Sequence, residues 1–246
     1  MPLLDITTIT DDQITQLREK FFKFEGEEDL DAESNVPTKY DLRDVEQFRS
    51  DDTTVRFFLS HGKLDIEEAL KVVKGCFAWR KQFGVREIDF DAFPDHVKSS
   101  NGVSIHGTDK EGRRIIWMYM NRLKRTKNDV EIWSRYFVYH LEKLYQQRGD
   151  KRLIFVNDMT GIGITNFDYE LTRFAVNLFE NHYPDLLAFQ VNFNMAWTLK
   201  TAWNIIKTWM TPEAISRVKF VKGDEVQQYV CSEFIPMHMG GEYKCC

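Results

Sequence analysis

Apolar positions near the N-terminus recur at the spacing of an amphipathic helix. Ile14, Leu17 and Phe21 lie three and four residues apart and follow Thr10. Gln13, three residues after Thr10, completes the pattern of a capping box, which ties the first turn of a helix to the residue before it. The pattern predicts a short helix that begins after Thr10.

An acidic segment separates this helix from a second helical region. Residues 25–33 hold six acidic groups and no basic one, a composition that cannot bury enough apolar area to offset its ordering entropy, so a solvated linker is predicted. From residue 40 to residue 83 the apolar period is helical again, and Asp65 is placed to cap a helix. The apolar face of that helix consists of Ile66, Ala69, Leu70, Val73 and Phe77. The region is predicted to form a small helical bundle.

After residue 94, apolar runs of strand length alternate with a helical period. Residues 115–120 and 153–156 are continuous apolar runs, and the apolar positions Phe189, Val191 and Phe193 alternate along a third segment. A helical stripe precedes that segment and consists of Leu171, Phe174, Ala175, Leu178 and His182. Strands that alternate with helices imply a mostly parallel sheet. The sequence therefore predicts an α/β fold that follows a helical N-terminal module.

The composition is that of a globular protein with a large core. Of the 246 residues, 43% are apolar and 14% are aromatic, which suits one large domain or a body with a small appendage. The 33 basic and 38 acidic residues give a net charge of −5. This balance excludes a chain whose whole surface binds nucleic acid, so no nucleic-acid partner is expected.

The cysteine spacing and the hydropathy argue against a disulfide-rich, zinc-binding or membrane-spanning protein. Cys76, Cys231, Cys245 and Cys246 show no C-x-x-C spacing, so neither a disulfide framework nor a zinc site is expected, and a reducing compartment fits. The longest apolar run, residues 115–120, is far shorter than the roughly 20 residues that span a bilayer. We expect no membrane-spanning helix, no secretory signal and no metal cofactor.

Catalytic motifs are weak. Gly161 and Gly163 follow a strand as in a dinucleotide-binding turn, but Asn166 stands where the third glycine belongs. Asp158 ends a strand, where α/β enzymes place catalytic groups, yet a carboxylate there also caps a turn. The chain has no G-x-S-x-G elbow and no pair of histidines at zinc-hydrolase spacing. We expect no catalytic residue, and a nucleotide-dependent enzyme is kept only as an alternative.

The segment 196–210 is amphipathic at helical spacing. Its apolar arc consists of Leu199, Ala202, Trp203, Ile205, Ile206, Trp209 and Met210. Two interpretations stay open for this pattern. It is typical of a surface helix packed on a sheet, and it also suits a movable lid whose Trp and Lys side chains meet a membrane interface.

A basic run stands out in this acidic protein. Arg122, Lys124, Arg125 and Lys127 place four positive charges within six residues. Such a run is commonly a solvated loop. Beside a lid carrying Trp209 it would dock on an anionic leaflet, where each charge adds about 1 kcal/mol.

The chain resembles the CRAL-TRIO lipid-binding domains over about residues 40–243. The motifs that carry the resemblance occur in the family's order: Asp51-Asp52 with RFFLSHGKLDIEEAL and Trp79-Arg80, then DKEGRRIIWMYM, LIFVNDMTGIGITNF, HYPDLL and FIPMHMGGEY. Within the family, YDLRDVE and the HMGG ending are most similar to the CRAL-TRIO portion of motile sperm domain-containing proteins, which are anchored at the endoplasmic reticulum.

The resemblance implies a sheet that forms the floor of an apolar pocket beneath a helical gate. Its pocket residues would come from Phe174, Leu178, Phe189, Val191, Phe193, Leu199, Trp203 and Ile206. Phosphatidylinositol-transfer members follow the Tyr-Pro with Glu-Arg and use a downstream Lys. This chain has Asp185 and Leu186 there, with Arg217 as the counterpart of the Lys, so Asp185 and Arg217 are the head-group candidates.

These implications give a set of expectations about function. The protein would bind a lipid without covalent chemistry and would carry or sense it as a monomer, peripherally on membranes in the cytoplasm, including the endoplasmic reticulum. A protein-docking scaffold with a vestigial pocket is the alternative. The expected organisation is a helix and acidic linker in 1–39, a helical module in 40–95 and a lipid-binding domain in 96–246. Cys245-Cys246 would be either a lipidated tail or, on the better-supported interpretation, two exposed thiols.

Overall fold

The computed structural model describes residues 3–24, 29–124 and 129–244. Contacts between Cα atoms divide the chain into two compact units. The first unit comprises residues up to 88 together with 177–186, and the second comprises 89–176 with 187 onward.

Four helices form the main part of the first unit. They are α1 (Asp11–Phe21), α2 (Leu42–Ser50), α3 (Asp52–His61) and α4 (Ile66–Phe83). The predicted capping box is confirmed at α1, where the Thr10 side chain accepts from the Gln13 N–H and the Gln13 side chain accepts from the Thr10 N–H. Asp65 caps α4, as predicted, by accepting from the N–H of Glu68.

An aromatic cluster holds these helices together. Phe21 of α1 lies at the centre, with its ring 4.9 Å from Phe48 and 5.5 Å from Phe77. Phe58 lies 5.8 Å from both Phe48 and Phe77. The rings meet edge to face, the arrangement that aromatic quadrupoles favour. The predicted helical module therefore has a core of its own.

The second unit is built on a five-stranded sheet. The strands are β1 (Val103–Thr108), β2 (Arg114–Tyr119), β3 (Leu153–Asp158), β4 (Leu187–Phe193) and β5 (Val218–Val221), in the order β1-β2-β3-β4-β5. The β1 strand pairs antiparallel with β2, and the other pairs are parallel. The accompanying helices are α5 (Asp95–Lys98), α6 (Val130–Gln147), α7 (Tyr169–Asn177), α8 (Lys200–Ile206) and α9 (Pro212–Ser216). The predicted mostly parallel sheet is confirmed.

The crossover helices share one side of this sheet. Each crossover leads to the next strand in the same direction, so right-handed connections place α6, α7 and α8 on the same side. The ring of Phe137 in α6 lies 5.6 Å from Phe155 in β3, and Trp203 in α8 lies 5.1 Å from Phe220 in β5. We call this side the helix-side face.

The opposite side is covered by the end of the chain and is called the tail-side face. There Val191 and Phe193 pack with Val226, Val230 and Ile235 from the C-terminal segment, residues 223–243. The closing glycines are required by this packing. A Cβ on Gly241 would stand 2.1 Å from the Ile235 carbonyl oxygen, and Gly240 has φ +84°.

Candidate functional site

The helix-side face of the sheet carries a row of side-chain amides. Asn157 in β3 and Asn192 in β4 are directly opposite each other in the register, and the Asn157 Nδ2 donates to the Asn192 Oδ1 at 2.9 Å. The Gln190 Nε2 donates to the same oxygen at 2.9 Å. Asn157 and Asn192 are buried, and the Asn157 Oδ1 has no hydrogen-bond partner among the described residues. The floor beneath the helices is therefore polar at its centre.

Helix α8 lies at the end of the sheet where the parallel strands finish. Leu199 and Ala202 are buried against Met159 and Ile162, which directly follow β3. Further along, Trp203 contacts Phe220 at the edge strand, and the Arg173 guanidinium of α7 lies 5.7 Å from the Trp209 ring. The helix is thus anchored along one stripe and predicted correctly as amphipathic.

Large apolar side chains around α8 remain partly exposed. Trp203 and Ile206 are half-buried, while Ile205 and Phe220 are each 43% exposed and Trp197, just before the helix, is 84% exposed. By contrast, the aromatic cluster of the first unit is almost fully buried. Contiguous exposed apolar surface is a feature of ligand-binding grooves and interaction sites, so these side chains are candidates for one.

The eight predicted pocket residues do not line one surface. Phe189, Val191 and Phe193 point to the tail-side face, where the Phe189 ring lies 5.3 Å from Tyr229. Strand alternation identifies two sets of side chains but does not tell which layer each set meets. Here the more apolar set packs against the C-terminal segment, and the set with Gln190 and Asn192 faces the helices.

The remaining predicted pocket residues belong to helices. Leu199, Trp203 and Ile206 come together along the α8 region, and Phe174 is half-buried on α7. Leu178 is fully buried and belongs to the first unit, in a π-helical turn that follows α7. The helical stripe predicted from 171 to 182 therefore spans α7 and this turn.

Asp185 lies in the first unit, on the turn after Tyr183-Pro184. Its φ is +49°, a left-handed conformation that Asp tolerates better than most residues. The Ser60 hydroxyl donates to its carboxylate, and its backbone N–H donates to the His61 Nδ1 at 3.3 Å. The carboxylate is therefore used within its own unit.

Arg217 lies in the second unit, between α9 and β5. Its Nη1 donates to the carbonyl oxygen of Leu187, which begins β4, at 3.4 Å. This contact joins the α9 end to the sheet. The two head-group candidates, Asp185 and Arg217, thus belong to different units.

The predicted basic run is described only in part. The Arg122 Nη1 donates to the carbonyl oxygen of Asn101 at 3.2 Å, and its guanidinium lies 4.3 Å from the Tyr119 ring centroid. Lys124 is exposed. Arg125 and Lys127 lie outside the described residues, as do Cys245 and Cys246.

The glycine turn after β3 is closed by a side chain. The Gly163 N–H donates to the Asn166 Oδ1 at 2.7 Å, and the Asn166 Nδ2 donates to the Gly161 carbonyl oxygen at 3.1 Å. A backbone donor that a phosphate would need in this turn is thus taken by the residue that replaces the third glycine. Asp158 bonds the N–H of Thr160 and lies 2.7 Å from the His238 Nε2, so it joins β3 to the C-terminal segment.

Within the ranges that the structure describes, no helix is long and apolar enough to cross a bilayer. Over the same ranges, no three His, Cys, Asp or Glu side chains converge as a metal site would require.

Comparisons with known proteins place these features in context. The protein-family model described as CRAL/TRIO domain matches residues 98–241. A CRAL-TRIO domain-containing protein of Schizosaccharomyces pombe is 28% identical over 213 residues, covering 78% of this chain and 58% of that protein. Phosphatidylinositol transfer protein CSR1 of Eremothecium gossypii is 25% identical over 260 residues, covering 91% and 59%. The chain thus spans less than two thirds of these two relatives.

Other similarities extend over more of the matched protein. SEC14 cytosolic factor of Kluyveromyces lactis is 26% identical over 220 residues, which cover 79% of this chain and 72% of that protein. The crystal structure of Sfh5 superposes with a TM-score of 0.64 at 14% identity, over 89% of this chain and 83% of that one. This structural likeness supports the fold.

Proposed function

The chain belongs to the CRAL/TRIO domain family, and from this membership we propose that it binds a phospholipid or a similar lipid and transfers or presents it at membranes. The observation that carries the proposal is the incompletely covered apolar surface beside α8, where Trp203 and Phe220 meet over the edge of the sheet. Acyl chains placed there would gain about 0.8 kcal/mol for each buried methylene. No covalent step is needed for this activity.

The relatives bear on the ligand and the place of action. One of them is named a phosphatidylinositol transfer protein and another a cytosolic factor. By analogy we propose a phospholipid cargo and a peripheral, cytoplasmic protein that acts as a monomer. The likeness to motile sperm domain-containing proteins, and with it the endoplasmic reticulum, finds no support among the relatives described above.

The site residues belong to this proposal. Leu199, Trp203 and Ile206 would form the gate side of the pocket, with Phe220 and the amides of the helix-side face opposite. Arg217 stays the head-group candidate of the second unit. Asp185 is a weaker candidate, because its carboxylate already accepts from Ser60.

Native mass spectrometry of the purified protein tests the proposal. We expect a population with the added mass of one lipid, released when the protein is denatured. Protein that stays free of lipid after incubation with phospholipid vesicles would contradict lipid carriage. It would favour the scaffold alternative, which the exposed Trp197 also suits.

A further inference from the structure

We propose that a basic cleft in the second unit binds a phosphomonoester anion, at a site beyond the lipid-binding surface proposed above. The cleft has a volume of about 650 Å³. Its walls come from the end of α5, the loop that follows β2 and the first turn of α6: His96, Ser99, Ser100, Asn101, Asn121, Arg122, Lys124 and Trp133. We call it the basic cleft.

The charge of the lining favours an anion. Arg122 and Lys124 contribute two positive charges, and none of the eight lining residues is acidic. Arg122 uses one of its five N–H donors on the Asn101 carbonyl oxygen, and stacking on Tyr119 fixes its guanidinium. Across the described residues, no carboxylate is within ion-pair distance of either cation. Both charges are therefore available to a ligand.

A buried donor in the same wall has no acceptor. Trp133 is 1% exposed, and its indole Nε1 is buried without a hydrogen-bond partner among the described residues. An unsatisfied buried N–H of this kind costs about 1–3 kcal/mol. Most tryptophans in protein interiors find a partner for this group. Because Trp133 lines the cleft, an anion bound there is the acceptor that we assign to this N–H.

The start of α6 borders the cleft, since Trp133 belongs to the first turn of this 18-residue helix. The partial positive charge of the helix N-terminus is offset there by Asp129 at the N-cap and Glu131 in the first turn, so the attraction for an anion comes from Arg122 and Lys124. The other lining groups are hydroxyls, amides and one imidazole, which suit a hydrated anion and not an acyl chain. A phosphomonoester offers several oxygens and up to two negative charges, so it matches two cations and an N–H donor better than a single carboxylate does.

Two sources could supply this group. A lipid head group would reach the cleft at a membrane, and a soluble phosphate would reach it from solution. The segment after β2 contributes to both the α8 region and the basic cleft. Met120 packs with Leu199 and Ala202 of the α8 region. Arg122 and Lys124, a few residues later, line the cleft. Occupancy of the cleft and lipid exchange at α8 would then take place at the same end of the sheet.

The first arm of the test is a titration with inorganic phosphate. The indole N–H resonance of Trp133 should shift with increasing phosphate. The Lys124→Gln and Arg122→Gln variants should each weaken binding about tenfold, the usual effect of one charge-assisted hydrogen bond. Lys98→Gln is the matched control, because Lys98 pairs with Asp95 and does not line the cleft. A Trp133 resonance that does not move, or equal losses for Lys98→Gln and Lys124→Gln, would overturn the proposal.

The Trp133→Phe variant separates a binding role from a structural one. It removes the unsatisfied donor and keeps an aromatic ring in the core. We expect weaker phosphate affinity together with a moderate loss of stability, because the smaller ring leaves a cavity in a buried site. A loss of stability with unchanged phosphate affinity would mean that Trp133 only packs, and would contradict the proposal.

The second arm identifies the source. Phosphatidylcholine vesicles containing phosphatidic acid are compared with vesicles that carry the same charge as phosphatidylserine, which has no phosphomonoester. Preference for phosphatidic acid that Arg122→Gln abolishes assigns the cleft to a lipid head group, whereas binding of inorganic phosphate alone assigns it to a soluble ligand. Native mass spectrometry of Arg122→Gln keeps this result distinct from lipid carriage, since the co-purified lipid should be unaffected.

Discussion

At the scale of single residues, a buried carboxylate in the first unit forms ion pairs with two arginines. Asp44 is 3% exposed, and its Oδ2 lies 3.0 Å from the Arg80 Nε, while its Oδ1 lies 2.7 Å from the Arg86 Nη2. Removing the carboxylate would take away the counter-charge of a buried arginine, which is strongly destabilising. The intact group therefore adds little net stability, whereas the loss of one of its members would be strongly destabilising.

We predict that Asp44→Ala lowers the free energy of unfolding by about 3–5 kcal/mol. The matched control is Glu46→Ala on the same helix, because Glu46 pairs with Arg49 in solvent and such pairs contribute about 0–1 kcal/mol. Urea denaturation of both variants measures the difference. Equal effects of the two substitutions would contradict the role of burial.

Two histidines are held neutral by their surroundings. Burial lowers the pKa of His140 in α6 to about 4, and the charge of Lys143 acts in the same direction. Burial also lowers the pKa of His182, in the first unit, to about 4; its ring stacks 4.1 Å from Trp79. The ordinary value is 6.5. As the pH is lowered, these histidines therefore become protonated in the unfolded chain at a higher pH than in the folded protein.

We predict that stability is fully retained above pH 6.5 and falls as the pH decreases from 6.5 towards about 4. The His140→Phe variant should show a shallower decline, because one of the contributing groups no longer titrates. Urea midpoints measured across this range test the prediction. A decline in the variant as steep as in the parent protein would exclude His140 as a contributor.

Residue-level prediction from sequence succeeded where the interaction is local. Thr10 with Gln13 and the cap at Asp65 lie within one helical turn of their partners, so spacing alone identifies them. Asn157 and Asn192 were missed, because they meet only through a register between strands 35 positions apart. Amides at the same alternation phase in two apolar strands are the signal that could have found them.

At the scale of elements, the two faces of the sheet have different roles. Phe220 lies on the helix-side face beside Trp203 and is 43% exposed. Phe189 lies on the tail-side face, where it packs with Tyr229 and stands 5.1 Å from the Arg113 guanidinium. Substitutions of these two phenylalanines can therefore distinguish an effect on ligand binding from an effect on core packing.

We predict that Phe220→Asp abolishes extraction of lipid from vesicles and leaves stability nearly unchanged, because the charge would stand where acyl chains pack. Phe189→Asp should instead lower the free energy of unfolding by about 3 kcal/mol or more. Charged substitutions at Val191 or Phe193 should also lower the free energy of unfolding, because these side chains pack on the tail-side face as Phe189 does. Extraction by Phe220→Asp at the parent level would contradict the proposed pocket.

Element types were predictable from periodicity, but the choice of face was not. The apolar runs of β2 and β3 and the stripe of α8 have lengths and periods that identify strand and helix. Which side the helices cover depends on strand order and on the hand of the crossovers, which no local pattern contains. Val191 and Phe193 were therefore predicted for the pocket, whereas they pack against the C-terminal segment and the amide row lies on the helix-side face.

At the scale of the whole molecule, the proposed binding to membranes would depend on a local positive charge in an acidic protein. The net charge is −5, so an anionic membrane repels the protein on average. Arg122 and Lys124 would oppose this repulsion locally, because the described lining residues of the basic cleft include these two cations and no acidic group. Attraction between such exposed charges and a membrane is screened over about 8 Å at physiological salt.

We predict that binding to phosphatidylserine vesicles weakens as salt is raised, and that Arg122→Glu with Lys124→Glu removes most of this dependence. The control reverses Lys98 and Lys110, which carry the same total charge in the second unit but do not line the basic cleft. Sedimentation with vesicles at several salt concentrations measures both variants. If net charge governed binding, the two double variants would behave alike, so a loss confined to Arg122 and Lys124 identifies the cleft as the membrane-facing cation site.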